Sequence, residues 1–177
     1  RSTLNLIQNF PLPNRNRKEG LKIIQQKIKQ LSQITERILP AARPASAARR
    51  MVSVSELVRQ TLALVSKHLQ HLHIRVTQDI QETPPVLVAP EQMTRVFLNI
   101  LLNGIEAAGD NGHLHIAARA EQEEVIVSFY NNGPPIHPEE MSHIFEPFYT
   151  TKSNGTGLGL YIARNIVQQH NGTLAVE

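Results

Sequence analysis

Residues 155–160 read Gly155-Thr156-Gly157-Leu158-Gly159-Leu160, and residues 161–170 after them carry helical periodicity. A chain of this kind has to present a glycine turn at the start of a helix. Three glycines in five positions keep Cβ atoms away from a ligand. They also let backbone N–H groups point at anionic oxygens, where a helix N-terminus adds partial positive charge. That is the chemistry of a phosphate site. Two other segments fit it: a helix over residues 91–108, started by Pro90, and a loop reading Asn131-Asn132-Gly133-Pro134-Pro135-Ile136.

The helix is informative because of what interrupts it. Val96, Phe97, Ile100, Leu101, Ile105 and Ala108 form an apolar face, and Asn99 and Asn103 lie one turn apart on a shared face. Asparagine is a poor helix-interior residue. Two of them stacked in an apolar helix suggest amides that bind something. An amide oxygen is a hard, neutral ligand suited to Mg²⁺, which keeps several waters and takes its other ligands from phosphates. The plain alternative is a pair of surface or capping asparagines.

The remaining segments predict an α+β chain in two parts. Residues 18–39 place Leu21, Ile24, Ile28, Leu31 and Ile38 at 3,4 spacing, with Thr35 in one seam position and Lys, Gln and Arg elsewhere. Pro40 and Pro44 stop this helix. Leu4 and Ile7 in residues 1–9 read as the end of a preceding helix, and the proline-bearing segment 10–16 as the turn between the two. Such a hairpin is too small to bury its own stripe, so a dimeric four-helix bundle is expected. Residues 1–44 are therefore read as a helical hairpin, 45–52 as a linker and 53–177 as a second domain. Ser53 and Glu56 form a capping box for a helix running to about residue 70. Strands are expected at 73–80, 85–89, 113–119, 124–130 and 172–177, and a helix at 157–170. The result is a mixed sheet layered with helices.

Charge is divided along the same line. Residues 1–60 hold 12 Lys and Arg against 3 Asp and Glu, while residues 61–177 hold 6 against 12. The basic part could meet an acidic protein, anionic lipid or nucleic acid, or be a solvated helix face. No recognition motif or aromatic platform for nucleic acid is visible. The absence of Cys excludes disulfides, thiol catalysis and Cys-ligated metals. No apolar run approaches the roughly 18 residues of a membrane span, and no signal peptide is visible, so a cytoplasmic location is expected. The first residue is Arg1 rather than Met, which leaves room for an anchor upstream.

Four motifs in order resemble the sensor histidine kinases of two-component systems. Phe97-Leu98-Asn99-Ile100-Leu101-Leu102-Asn103-Gly104-Ile105-Glu106-Ala107 resembles their asparagine box, and residues 131–136 their first glycine box. Phe145-Glu146-Pro147-Phe148-Tyr149-Thr150-Thr151-Lys152 resembles the phenylalanine box and lid, and residues 155–160 the second glycine box. Residues 18–39 resemble the second helix of the dimerisation and phosphotransfer hairpin. The resemblance implies a Bergerat-type ATP site in an α/β sandwich of the histidine-kinase-like ATPase type. It implies that Asn103 ligates Mg²⁺, that Asn99 assists at the phosphates and that Lys152 reaches the terminal phosphates as a point charge. It further implies ATP contacts from Asn131, Gly133, Ile136, Phe148, Gly155, Thr156, Gly157, Leu158, Gly159 and Leu160, with Phe145 and Phe148 tying the lid to the core. A homodimer through the hairpin and a response-regulator receiver domain are the implied partners.

Three departures stand out. The family carries Asp where this chain has Asn131, and that Asp accepts a hydrogen bond from the adenine 6-amino group. Asn keeps an acceptor but adds a donor and loses the charge, so weaker ATP binding and poorer discrimination against GTP are expected. Pro135 replaces a Gly, which stiffens the loop and removes an N–H. The family's phosphoacceptor His, in a His-Glu-x-Arg stretch, is absent: the first His is His68. Arg1-Ser2-Thr3-Leu4 resembles the residues just after that stretch, which would put the acceptor three positions before Arg1. Ser2 would then take the place of an Asn or Thr that helps remove phosphate from the partner. Both ends are expected to be trimmed from a longer chain. The leading expectation is a protein-histidine kinase core; the alternative is a nucleotide-binding regulatory module of the same fold. A serine kinase or ATPase of this fold is disfavoured by the hairpin.

Overall fold

The computed structural model describes residues 48–152 and 155–176. The expected hairpin, Ser2 and the linker as far as residue 47 lie outside the described residues. In chain order the elements are β1 (Arg50–Val52), α1 (Val54–His71), β2 (Arg75–Ile80), β3 (Val86–Val88), α2 (Pro90–Ala108), β4 (His113–Glu121), β5 (Glu124–Asn131), α3 (Pro138–Met141) and α4 (Gly159–Gln169).

The main sheet has the order β2-β4-β5 and is mixed: β2 runs parallel to β4, and β4 antiparallel to β5. Alternation along β4 is strict where it matters. Leu114, Ile116 and Ala118 are buried and face the helices, while His113, His115 and Ala117 between them are only half-buried. Helix α1 contributes Leu57, Val58, Leu62, Val65 and Leu69 to the core, and α2 contributes Val96, Phe97, Leu101 and Ile105. Helices α1 and α2 pack together over this face, and the Phe97 ring meets Phe129 of β5 at 5.9 Å between centroids. Helix α4 packs on α2 and buries Ile162, Ala163 and Ile166. This is the expected layering of helices on a mixed sheet.

The structure differs from the sequence expectation in four places. Residues 50–52 are strand, not linker: Arg50, Met51 and Val52 pair antiparallel with Val88, Leu87 and Val86 in a separate two-stranded sheet. Residues 172–176 form no strand, because alternation makes a strand only where a neighbour supplies a ladder, and no described strand does. The helix expected from residue 157 starts at Gly159, since Gly157 takes φ +64 and stands outside it. The capping box at α1 is half formed. Ser53 Oγ accepts from the Glu56 N–H at 3.3 Å, whereas the Glu56 carboxylate accepts from Gln60 one turn on.

Candidate functional site

The two asparagines of α2 face the glycine turn that opens α4. Asn99 Nδ2 donates to the Gly159 carbonyl at 3.2 Å. A Cβ on Gly159 would stand 3.9 Å from Asn103 Nδ2 and 3.9 Å from Asn99 Cγ, so both amides border the same glycine. Helical spacing produces this: residues four apart share a face, and that face turns toward α4 rather than into the sheet.

The turn itself is pinned from the preceding loop. Gly157 has φ +64, and its carbonyl accepts from the Phe148 N–H at 3.0 Å. A Cβ there would meet the Phe148 carbonyl carbon at 2.3 Å and the Tyr149 nitrogen at 2.6 Å. Only glycine satisfies both the left-handed backbone and the close approach. The expected tie between Phe148 and the core is therefore a backbone tie, with the ring 63% exposed. The Phe145 ring lies under Arg164 of α4, whose guanidinium carbon is 5.1 Å from its centroid. Leu158 is buried, so it offers a ligand only its backbone. Thr156, Leu160 and Ile136 are half-buried and Gly155 is exposed.

The first glycine loop sits against the other end of α2. A Cβ on Gly133 would meet the Ala107 carbonyl oxygen at 2.3 Å, so the loop approaches the helix backbone as closely as a glycine permits. The Gly133 N–H donates to Asn131 Oδ1 at 2.9 Å. Because a backbone N–H can only donate, this bond fixes which end of the amide is oxygen. Asn131 thus spends one acceptor lone pair on its own loop.

Lys152 reaches α2 as well. Its Nζ pairs with the Glu106 carboxylate, three residues past Asn103, and both side chains remain about half exposed. The Lys152 N–H donates to Thr150 Oγ1 at 3.1 Å, and the Lys152 carbonyl accepts from the Gly155 N–H at 3.1 Å. Partial desolvation, then the Glu140 and Glu146 carboxylates, hold the Tyr149 phenol above its ordinary range. Among the described residues no cluster of three or more His, Asp or Glu could hold a metal. The Asn103 amide borders the Gly159 position through Nδ2, and its oxygen is a hard neutral donor of the kind that suits a cation held mainly by phosphate.

Asn99, Asn103, Lys152, Gly157 and Gly159 are thus gathered on one side of α2, with Asn131 and Gly133 at its C-terminal end. Sequence reasoning missed Glu106 and Thr150, which hold Lys152, and Ala107, which receives Gly133. Glu106 was discoverable, since three positions past Asn103 is the same helix face.

The family model for histidine kinase-, DNA gyrase B-, and HSP90-like ATPases matches residues 88–177, just over half of the chain. The chain is 34% identical over 147 residues to sensor histidine kinase ZraS of Escherichia coli K12, covering 82% of this chain and 32% of that protein. It is 31% identical over 157 residues to sporulation kinase E of Bacillus subtilis 168, covering 88% of this chain and 21% of that one. The chain therefore spans no more than about a third of the length of these curated relatives. Among solved structures, histidine kinase ThkA in complex with the response regulator protein TrrA aligns with TM-score 0.70 and 26% identity, over 96% of this chain and 49% of that one. The isolated ThkA catalytic domain aligns with TM-score 0.65 and 34% identity, over 69% and 81%. Among the described residues no helix is long and apolar enough to cross a membrane.

Proposed function

Because this chain belongs to the histidine kinase-, DNA gyrase B- and HSP90-like ATPase family, we propose that it is the ATP-binding catalytic core of a sensor histidine kinase. The observation that carries this reading is the meeting of Asn99 and Asn103 with Gly159, which puts paired amides beside a glycine turn at a helix N-terminus. Backbone N–H groups of the turn would hold the phosphate chain, and Asn103 Oδ1 would be the protein's ligand to Mg²⁺. The cation neutralises charge on the phosphates when bound. Asn99 braces the Gly159 carbonyl and so fixes the turn. Lys152 leaves Glu106 to meet the terminal phosphate as a point charge. The γ-phosphorus bond to the bridging oxygen of ADP breaks while a bond to a histidine nitrogen on the hairpin forms. The phosphoryl group then passes to an Asp of a response-regulator receiver. Positioning and charge neutralisation are the main demands of such a transfer. In this reading residues 1–44 would supply the dimer contact, and their excess of Lys and Arg suits docking of an acidic receiver face.

The test is calorimetric titration of the 177-residue chain with AMP-PNP, with and without Mg²⁺. One saturable site that weakens when Mg²⁺ is removed is expected; no binding in either condition overturns the reading. A version extended upstream by a His-Glu-x-Arg stretch should acquire acid-labile, base-stable phosphate from ATP. Nucleotide binding without that product would favour a regulatory module of the same fold.

Asn131 sets the expected selectivity. With one lone pair committed to Gly133, it offers a purine one remaining acceptor position and an amide donor. Asn131→Asp is expected to tighten ATP about fivefold, the difference of about 1 kcal/mol between a neutral and a charge-assisted hydrogen bond. The ratio of ATP to GTP affinity should rise with it. Competition titrations of both nucleotides on both proteins measure this, and equal ratios would remove Asn131 from base recognition.

A further inference from the structure

Helices α2 and α4 are joined at two points, and only one of them is at the nucleotide site. Asn99 meets Gly159 at the start of α4, and His170, just past its end, meets Ala89 just before α2. The two contacts run in opposite sequence order, so the helices are antiparallel, and α4 is fastened near both of its ends to the start and the middle of α2. His170 Nε2 lies 3.1 Å from the Ala89 nitrogen, and Nδ1 lies 2.8 Å from the Ile166 carbonyl oxygen. The partners fix the chemistry. A carbonyl only accepts, so Nδ1 carries the proton; a backbone N–H only donates, so Nε2 presents its lone pair. Ala89 is 1% exposed and has no side chain able to cap the helix it precedes. Its N–H would be a buried orphan without the imidazole.

We propose that His170 is a positioning residue for the nucleotide site: by capturing the Ala89 N–H it fixes how far α4 slides along α2, and so where the glycine turn stands against Asn99 and Asn103. This inference rests on the proposed nucleotide site and adds a residue to it that touches no nucleotide. The register of α4 needs such a fixture because the side chains it buries, Ile162, Ala163 and Ile166, are apolar, and apolar burial is non-directional. The bond to Ala89 supplies a direction at the far end, as the Asn99 amide does at the near end.

The test compares the full chain with His170→Leu, His170→Gln and His170→Asn. Gln places an acceptor near the position of Nε2 and can still receive the Ala89 N–H; Asn reaches only the position of Nδ1. Two readouts are taken: the Mg·AMP-PNP dissociation constant, and amide hydrogen exchange at Ala89. His170→Leu and His170→Asn are expected to bind at least about fivefold more weakly and to exchange the Ala89 amide fast, with His170→Gln within twofold of the parent on affinity and slow to exchange. If His170→Leu does not fold, the contrast between Gln and Asn decides alone. Gln behaving like Asn, or Leu within twofold of the parent, overturns the assignment. A parent chain that binds no nucleotide overturns the proposed function and this role together, whereas a parent that binds and variants that do not separate overturn this role only.

Discussion

Replacing Asn103 with alanine is expected to remove the Mg²⁺-dependent part of nucleotide binding and to lower any ATP turnover at least about 100-fold. The magnitude follows from what the amide oxygen would hold under the proposed function. A phosphate-bound cation supplies several kcal/mol of charge stabilisation, and each 1.36 kcal/mol is about tenfold in rate. The effect should not be one of folding. Asn103 is half-buried, and its helix is held by Val96, Phe97, Leu101 and Ile105, which the substitution leaves intact. Asn103→Asp separates ligation from charge. It keeps an oxygen for the cation but sets a negative charge beside the phosphates, so binding should fall while remaining Mg²⁺-dependent. Calorimetry with and without Mg²⁺ reads both variants. If Asn103→Ala retains the full Mg²⁺ effect, the cation is held by other groups.

Gly157→Ala is the second large effect expected. An L-residue at φ +64 costs about 1–2 kcal/mol in backbone strain alone. The added Cβ would also stand within 2.3–2.6 Å of the Phe148 carbonyl carbon and oxygen and the Tyr149 nitrogen. These are backbone atoms, so no rotamer change relieves the overlap and the turn has to move. Nucleotide affinity should fall at least about tenfold, from strain and displacement together. Gly109→Ala is the internal control. Gly109 has φ +66 but nothing within 4 Å of an added Cβ. It should lower stability by the strain alone and leave nucleotide affinity unchanged. Thermal denaturation and titration of the two variants side by side make the comparison, and equal affinities would mean that the turn does not contact the ligand.

Much of this was legible in the residues because each signal was local. The apolar period of α2 with its two asparagines, the glycine run before α4 and the Ser53 cap all declare themselves within one or two turns of chain. What escaped was settled by distant partners. Arg50–Val52 is a strand only because Val86–Val88 lies beside it, and nothing in an Ala- and Arg-rich tract announces that pairing. Residues 172–176 carry a strand-like alternation that no described neighbour completes. The single turn of α3 was overlooked, although Pro138 in its first turn and Glu139 and Glu140 after it are start signals. At the site the sequence named Lys152 and Asn131 but not what they rest on. Glu106 is 46 positions from Lys152, and the Asn131 amide turns inward to Gly133 rather than outward. Phe145 and Phe148 look alike in the sequence, yet one ring lies under Arg164 and the other faces solvent.

The partnership of Lys152 with Glu106 has a kinetic meaning. Both side chains are wet, and opening such a pair costs less than about 1 kcal/mol. Under the proposed function, the ammonium is therefore kept close to the terminal phosphate's place by a competitor too weak to retain it. An incoming polyanion carries several charges against the single charge of one carboxylate, so exchange of partners needs neither unfolding nor a repacked core. Ionic strength acts on both sides of that exchange, loosening the resting partner as it screens the arriving one.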